Sequence, residues 1–188
     1  MQTVRSPGAP LGYADITGVG VSWLFQRVDG VDFLMHDGGT FGQQSLIMFS
    51  PALQFGLVLL ANASQALNLI NGVSTWVLDH YLGLKDPPLQ AVALSPDQLL
   101  AYEGRFAGFE TPPAKALEFR ANGNGLTLTG LDASGTPIGQ ASQLSLYADD
   151  HVFIPSGSSA GLRFDFVRDA DGRIGWFRYL GRIVPRLA

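Results

Sequence analysis

From Tyr102 to Val184 the chain is a succession of short apolar-polar alternations with Gly, Asn or Asp between them. The runs are Tyr102–Phe106, Ala116–Arg120, Leu126–Leu131, Pro137–Ala141, Leu144–Tyr147, His151–Ile154, Leu162–Val167, Ile174–Leu180 and Arg182–Val184. A period of two places alternate side chains on opposite faces, which is how a half-buried strand reads. A spacing of about eight to twelve residues is that of hairpin-connected strands, so this half predicts an antiparallel barrel or sandwich. Asn122-Gly123-Asn124-Gly125 and Asp171-Gly172 supply hairpin turns. No helix-length pattern appears after Leu100. Trp176, Phe177 and Tyr179 either fill the interior of a small barrel or line a ligand cavity.

The first half mixes strands with one helix. Met1 to Gly18 is rich in Pro and Gly and reads as an irregular loop. Val19, Val21, Trp23 and Phe25 alternate as one strand, Asp29-Gly30 is a hairpin turn, and Val31–Met35 is the return strand. His36-Asp37-Gly38-Gly39-Thr40-Phe41-Gly42 then reads as a loop. Gln44–Phe49 is a third strand, and Ser50-Pro51 opens a turn. Phe55–Ala61 is a fourth strand, apolar on both faces as a covered central strand would be. Asn62 and Gln65 have the form of a capping box. After them Leu67, Ile70, Val73, Val77 and Tyr81 mark one face of a helix. Gly83 stops it, and Pro87-Pro88 prevents its continuation. Lys85–Ala93 reads as a linker. Ser95 then caps a short helix with Pro96 in its first turn.

Bulk properties remove several function classes. At 188 residues the chain holds one large domain or two small ones, and 46% apolar residues are enough for a sizeable core. The net charge is −4, and Lys and Arg form no block. Neither nucleic acid nor an anionic lipid surface is therefore an expected partner. With no cysteine there is no disulfide, thiolate nucleophile or Cys-based zinc site. The longest apolar stretch, Phe55 to Ala61, is too short to span a bilayer as a helix. The N-terminal residues carry no apolar signal-peptide core, and the compartment stays open. No cofactor or metal is expected.

A combination of features does point to chemistry. A hairpin strand, then the H-x-G of His36-Asp37-Gly38, then Gly42, an apolar strand ending in Leu60-Ala61-Asn62 and a helix together resemble the C-terminal part of the serine β-lactamase-like fold. The branch is that of class C β-lactamases and penicillin-binding-protein-like hydrolases, whose members are often periplasmic or secreted. The stretch LSPDQLLAYEGRF, from Leu94 on, is similar to the start of the lipocalin-like barrel appended to such hydrolases. The resemblance implies a mainly β (α+β) fold. It divides the chain into a partial antiparallel β-lactamase-like sheet with its C-terminal helix (residues 1–85), a linker (86–94) and a lipocalin-like antiparallel β-barrel (95–188).

The family hydrolyses β-lactams, D-amino-acid peptides or small esters through an acyl-enzyme. The resemblance implies that His36 and Gly38 form the third motif, on the strand edging the active site. Gly39 then donates a backbone N–H to the oxyanion, glycine allowing the close approach. His36 would contribute a hydrogen bond or positive charge near a substrate carboxylate or the serine proton path. The nucleophile motif S-x-x-K is absent: only Lys85 and Lys115 occur, with Leu82 and Pro112 three residues before them. No tyrosine opens a Y-x-N or Y-x-S motif. The expectation is the C-terminal piece of a serine hydrolase, inactive alone. The remaining machinery would lie in a missing N-terminal half. The alternative is a ligand-binding or regulatory lipocalin-like module holding a small apolar molecule.

Each of these residues also has a structural reading. His36 and Asp37 fit a tight turn, where Asp tolerates unusual backbone angles. His80 sits near a helix C-terminus, where a cation complements the dipole. Asp149, Asp150 and His151 are adjacent and point to opposite faces of a strand, a poor chelate, and read as a solvated turn. An open, apolar sheet edge favours self-association. Bare apolar surface is expected on Val19–Met35 and Phe55–Ala61.

Overall fold

The computed structural model describes residues 3–108, 114–179 and 181–188. It is mainly β, with antiparallel sheets and one nearly closed eight-stranded barrel. Two compact units are present: residues 1–9 with 13–88, and residues 10–12 with 89–188.

The first unit is a sheet of β1 (Ser6–Pro7), β3 (Ala14–Val19), β4 (Leu24–Val28), β5 (Val31–Thr40), β6 (Gln43–Ser50) and β7 (Phe55–Ala61), in the order β1-β3-β4-β5-β6-β7. The lead-in is therefore not irregular throughout: Ala14 and Ile16 alternate into the core. Its Pro and Gly obscured a period that is only three turns of alternation long. The expected single strand through Val19 to Phe25 is two strands. They are broken by a turn at Gly20–Trp23, where Gly20 N–H donates to the Trp23 carbonyl (2.8 Å) and Ser22 has φ 66°. The Asp29-Gly30 turn forms as expected, both residues having positive φ (49° and 80°), the type I′ geometry that suits strand twist.

β7 has the expected bounds but not the expected place. It is an edge strand whose side chains alternate between half-buried and exposed. An all-apolar run does not by itself separate a central strand from an edge strand. The exposure expected over Phe33–Met35 is likewise absent, those residues being buried.

Helix α1 (Leu67–Leu82) packs on β6 and β7. Its N-cap is Ala66 without a side-chain bond, so the Asn62/Gln65 capping box does not form. The buried face is Ile70, Ser74 and Leu78, with Leu67, Val73 and Val77 half-buried beside it and Tyr81 exposed. The expected stripe was thus rotated by one residue. Gly83 stops the helix at φ 67°: its N–H reaches the Asp79 carbonyl (2.9 Å), and Leu84 N–H reaches Leu78 (3.1 Å). His80 lies in the last turn, stacked on Trp76 at 4.7 Å.

The second unit opens with β2 (Pro10–Leu11) and continues through α2 (Pro96–Leu100). Ser95 caps α2 in a complete capping box with Gln98. Ser95→Ala should cost about 1 kcal/mol, checked by urea unfolding. Then follow β8 (Gly104–Ala107), β9 (Ala116–Asn122), β10 (Gly125–Leu131), β11 (Pro137–Ala148), β12 (His151–Phe153), β13 (Arg163–Arg168), β14 (Ile174–Tyr179) and β15 (Arg182–Pro185). Each pairs with its neighbour in sequence. The sheet curls back on itself, with a bridge between Phe106 and Arg186 and a hydrogen bond from Leu187 N–H to the Arg105 carbonyl (2.7 Å). The runs expected as separate strands at Pro137–Ala141 and Leu144–Tyr147 form one, β11. Gly139 at φ 70° lies within it, and a register shift separates its two parts along β10. Leu180, expected at the end of β14, lies outside the described residues.

Phenylalanines occupy the barrel interior. Phe106, Phe119, Phe164, Phe166 and Phe177 are buried together, with Phe119 4.8 Å from Phe177 and 5.0 Å from Phe166. Phe177 and Tyr179 share the inner face, Tyr179 stacked on Phe164 at 5.0 Å, whereas Trp176 points outward.

Asp150 is not a solvated turn residue. Its carboxylate accepts from the buried Tyr102 hydroxyl (2.9 Å) and from Arg168 Nε and Nη2 (2.8 and 2.7 Å). Tyr102 follows α2 rather than opening β8. Burial, chiefly, and the adjacent Asp150 push its hydroxyl pKa up.

Candidate functional site

The segment His36–Thr40 is not a loop. β5 runs through it without a break, pairing His36 with Ile47, Asp37 with Leu46, Gly38 with Ser45, Gly39 with Gln44 and Thr40 with Gln43. The turn falls later, at Phe41-Gly42, where Gly42 has φ 84°. The turn reading of His36 and Asp37 is therefore corrected. Two consecutive glycines looked like a loop, yet the pairing of β6 along their whole length holds them extended.

The register then exposes what is special about this stretch. On its other side β5 pairs with β4 only from Val31 to Met35, the last partner being Leu24. Beyond Met35 the turn at Gly20–Trp23 takes the chain away. From His36 to Thr40 one edge of β5 has no strand partner among the described residues. Backbone N–H and C=O groups on that edge are available to an incoming extended chain or carbonyl.

Alternation sorts the side chains. His36 and Gly38 share a face with Ser45, Ile47, Val58 and Leu60, while Asp37 and Gly39 share the opposite face with Leu46 and Gln44. A groove of about 570 Å³ lies at the end of these strands. It is lined by Gly38, Gly39, Thr40, Gln43, Gln44, Ser45, Leu60, Ala61 and Asn62.

Several hydrogen bonds hold its wall. Ser45 Oγ donates to the Gly38 carbonyl (3.3 Å), Gly42 N–H to Ser64 Oγ (2.8 Å), and Gln44 Nε2 to the Ser64 carbonyl (3.2 Å). A Cβ on Gly39 would lie 2.7 Å from Gln44 Nε2, whereas on Gly38 it would meet only Ser45 Oγ at 3.6 Å. Gly39 is therefore where the lack of a side chain lets the Gln44 amide lie against the strand.

The structure thus brings His36, Gly38 and Gly39 onto one open strand end, with His36 and Gly39 on opposite faces. Sequence reasoning missed Gln44 and Ser64, which brace the groove. The signal for Gln44 was its place on β6, two residues before the buried Leu46 and so on the same face. Among the described residues no group of His, Asp and Glu could hold a metal ion, and no helix is long and apolar enough to cross a membrane.

No family model matches the chain, and no curated protein does. Solved structures do. The crystal structure of SurE with D-Leu superposes on 100% of this chain with a TM-score of 0.64 at 24% identity, and a second SurE structure does so at 0.63. A structure of the octameric penicillin-binding protein homologue from Pyrococcus abyssi matches 90% of the chain at 18% identity, with a TM-score of only 0.42. The chain spans 42% of the length of the first SurE structure and 41% of the second. At this identity the likeness is one of fold, and the chain shares the fold of the corresponding part of SurE.

Proposed function

We propose that this chain is the C-terminal part of a serine hydrolase of the β-lactamase and penicillin-binding-protein type. In it β5 is the strand that receives the acyl group of the substrate. The observation that carries this is the open edge of β5 from His36 to Thr40 beside the groove. Gly39 would donate its N–H to the oxyanion, in a backbone already held rigid by β6, so that little reorganisation accompanies reaction. His36, on the opposite face, would place a hydrogen bond or a charge beside a substrate carboxylate. The SurE structure holds D-Leu, which supports a D-amino-acid peptide over a β-lactam or simple ester as the substrate class.

The nucleophile and its base belong to polypeptide outside these residues, because no S-x-x-K occurs in the sequence. Residues 1–85 then form the partial catalytic domain and 95–188 the appended barrel. The phenylalanine packing of the barrel interior gives no support to an apolar ligand there.

Two measurements test this. Intact mass after incubation with a β-lactam or a fluorophosphonate should show no adduct on the chain alone. An adduct would mean that a serine within it is activated, and peptide mapping would name it. N-acetyl-D-leucine amide should perturb the backbone amide resonances of Gly38, Gly39 and Thr40 in a ¹⁵N-labelled sample. Perturbation elsewhere only, or by the L enantiomer equally, would count against the assignment of β5.

A further inference from the structure

Two consecutive residues of β6 hold the peptide bond that joins Gly38 to Gly39, and the register fixes which way that bond points. Val28 and Val31 close the two-residue turn at Asp29-Gly30, and Thr40 and Gln43 close the one at Phe41-Gly42. A residue that closes a two-residue turn directs its N–H and C=O at the partner strand, and successive residues then face alternate neighbours. No register shift interrupts β5 on either side, so both turns give the same answer. Gly38 directs its backbone groups at β6, and Gly39 directs its own at the open edge. A trans peptide agrees with this. Its C=O, from Gly38, accepts from Ser45 Oγ at 3.3 Å, and its N–H, from Gly39, points the other way.

We infer that Gln44 is a positioning residue for that Gly39 N–H, and that position 39 is glycine to admit the Gln44 amide rather than to admit substrate. The inference rests on the role proposed for β5. Gln44 stands directly opposite Gly39, on the same face. A Cβ at position 39 would lie 2.7, 2.8 and 3.0 Å from its Nε2, Oε1 and Cδ, so the amide fills the volume that a side chain would take.

The far end of the amide is anchored. Nε2 donates to the Ser64 carbonyl (3.2 Å), and because a carbonyl only accepts, the nitrogen is the atom turned toward it. Ser64 Oγ in turn accepts from Gly42 N–H (2.8 Å), which ties the segment before α1 to the β5–β6 turn. Ser45 reaches the same peptide from the opposite face. The donor is thereby braced on both faces, along a stretch where β4 gives no support. Two successive glycines have no side chains to limit their own backbone. An oxyanion donor works by standing in place before charge develops.

A double substitution tests this. Binding of N-acetyl-D-leucine amide is read from the backbone amide resonance of position 39 in a ¹⁵N-labelled chain. Gln44→Ala should weaken binding about five- to tenfold, the size of one hydrogen bond's net contribution, with an unchanged circular dichroism spectrum. Gly39→Ala should weaken it at least as much, because the new Cβ drives the amide off. The two together should bind no worse than Gln44→Ala alone, since the amide that the Cβ meets is gone. Without ligand, Gly39→Ala should broaden the amide resonances of Thr40 and Ser45, and adding Gln44→Ala should sharpen them.

If Gly39→Ala weakens binding by the same factor with and without Gln44, the glycine serves the approach of substrate. The role of Gln44 is then overturned while that of β5 stands. Unchanged affinity in Gln44→Ala overturns it likewise. A native chain whose Gly39 resonance ignores the ligand removes the role of β5, and this inference with it.

Discussion

Replacing Phe119 by Ala should destabilise the second unit by about 3–5 kcal/mol, enough to unfold much of it near its normal stability limit. Phe119 is fully buried and touches the rings of Phe106, Phe166 and Phe177, at 5.3, 5.0 and 4.8 Å between centroids. Three ring contacts and the transfer of a whole phenyl group are lost together. The surrounding strands form a nearly closed barrel whose hydrogen bonds resist collapse into the vacancy. Relaxation should therefore recover little, and the cost should fall at the upper end. The chain has three tryptophans, Trp23 and Trp76 in the first unit and Trp176 in the second. In a Trp23→Phe, Trp76→Phe background the fluorescence of Trp176 follows the barrel alone. A change below about 1 kcal/mol in its urea midpoint would mean that the ring cluster is not the barrel's core.

Asp150→Ala is expected to have the next largest effect, about 2–4 kcal/mol, as the sum of two parts. Hydrogen bonds to a charged group contribute about 1.5–3 kcal/mol. Here one carboxylate serves both Arg168 nitrogens and the buried Tyr102 hydroxyl. Arg168 is 41% exposed at its side chain, so solvent takes over part of its hydration. That keeps the loss below that of a fully buried pair. The second part is backbone strain: Asp150 has φ 61°, a conformation that Asp and Asn adopt more readily than Ala.

Asp150→Asn separates the two parts. It keeps the turn preference and an acceptor for Tyr102 but loses the charge, and should recover about half of the effect by the same Trp176 readout. Equal losses for Ala and Asn would show that the ion pair carries all of it. The Arg168 guanidinium is also held by the Gly172 carbonyl at 2.7 Å, so the loop at Asp171-Gly172 should loosen in both variants.

Much of the architecture was legible because it is written locally. The Asp29-Gly30 turn, the Gly83 stop and the Ser95 cap each depend on a few neighbouring residues, and each formed as read. The barrel strands were legible for the same reason, since period-two alternation between turn residues needs no knowledge of partners. The misreadings occurred where local and non-local forces compete. Gly38-Gly39 has no intrinsic preference for extension, and only pairing with Ser45 and Gln44 keeps it in a strand. The alternation lapses at Ser142-Gln143, where a local reading divides β11 in two, and only pairing with its neighbours carries the strand through. The seven apolar residues of β7 say that something should cover them, but not what.

The candidate site follows this division. By itself the sequence determined that His36, Gly38 and Gly39 stand in an H-x-G-G order, and that no S-x-x-K accompanies them. It also determined that the chain is mainly β. Only the tertiary structure decided that β4 stops pairing at Met35 while β6 continues to Thr40, which turns that order into an open strand edge. The physical reason is that a backbone hydrogen bond in a sheet is made by residues distant in sequence. Whether an edge is closed or open is therefore a property of register, and no short stretch of residues encodes it.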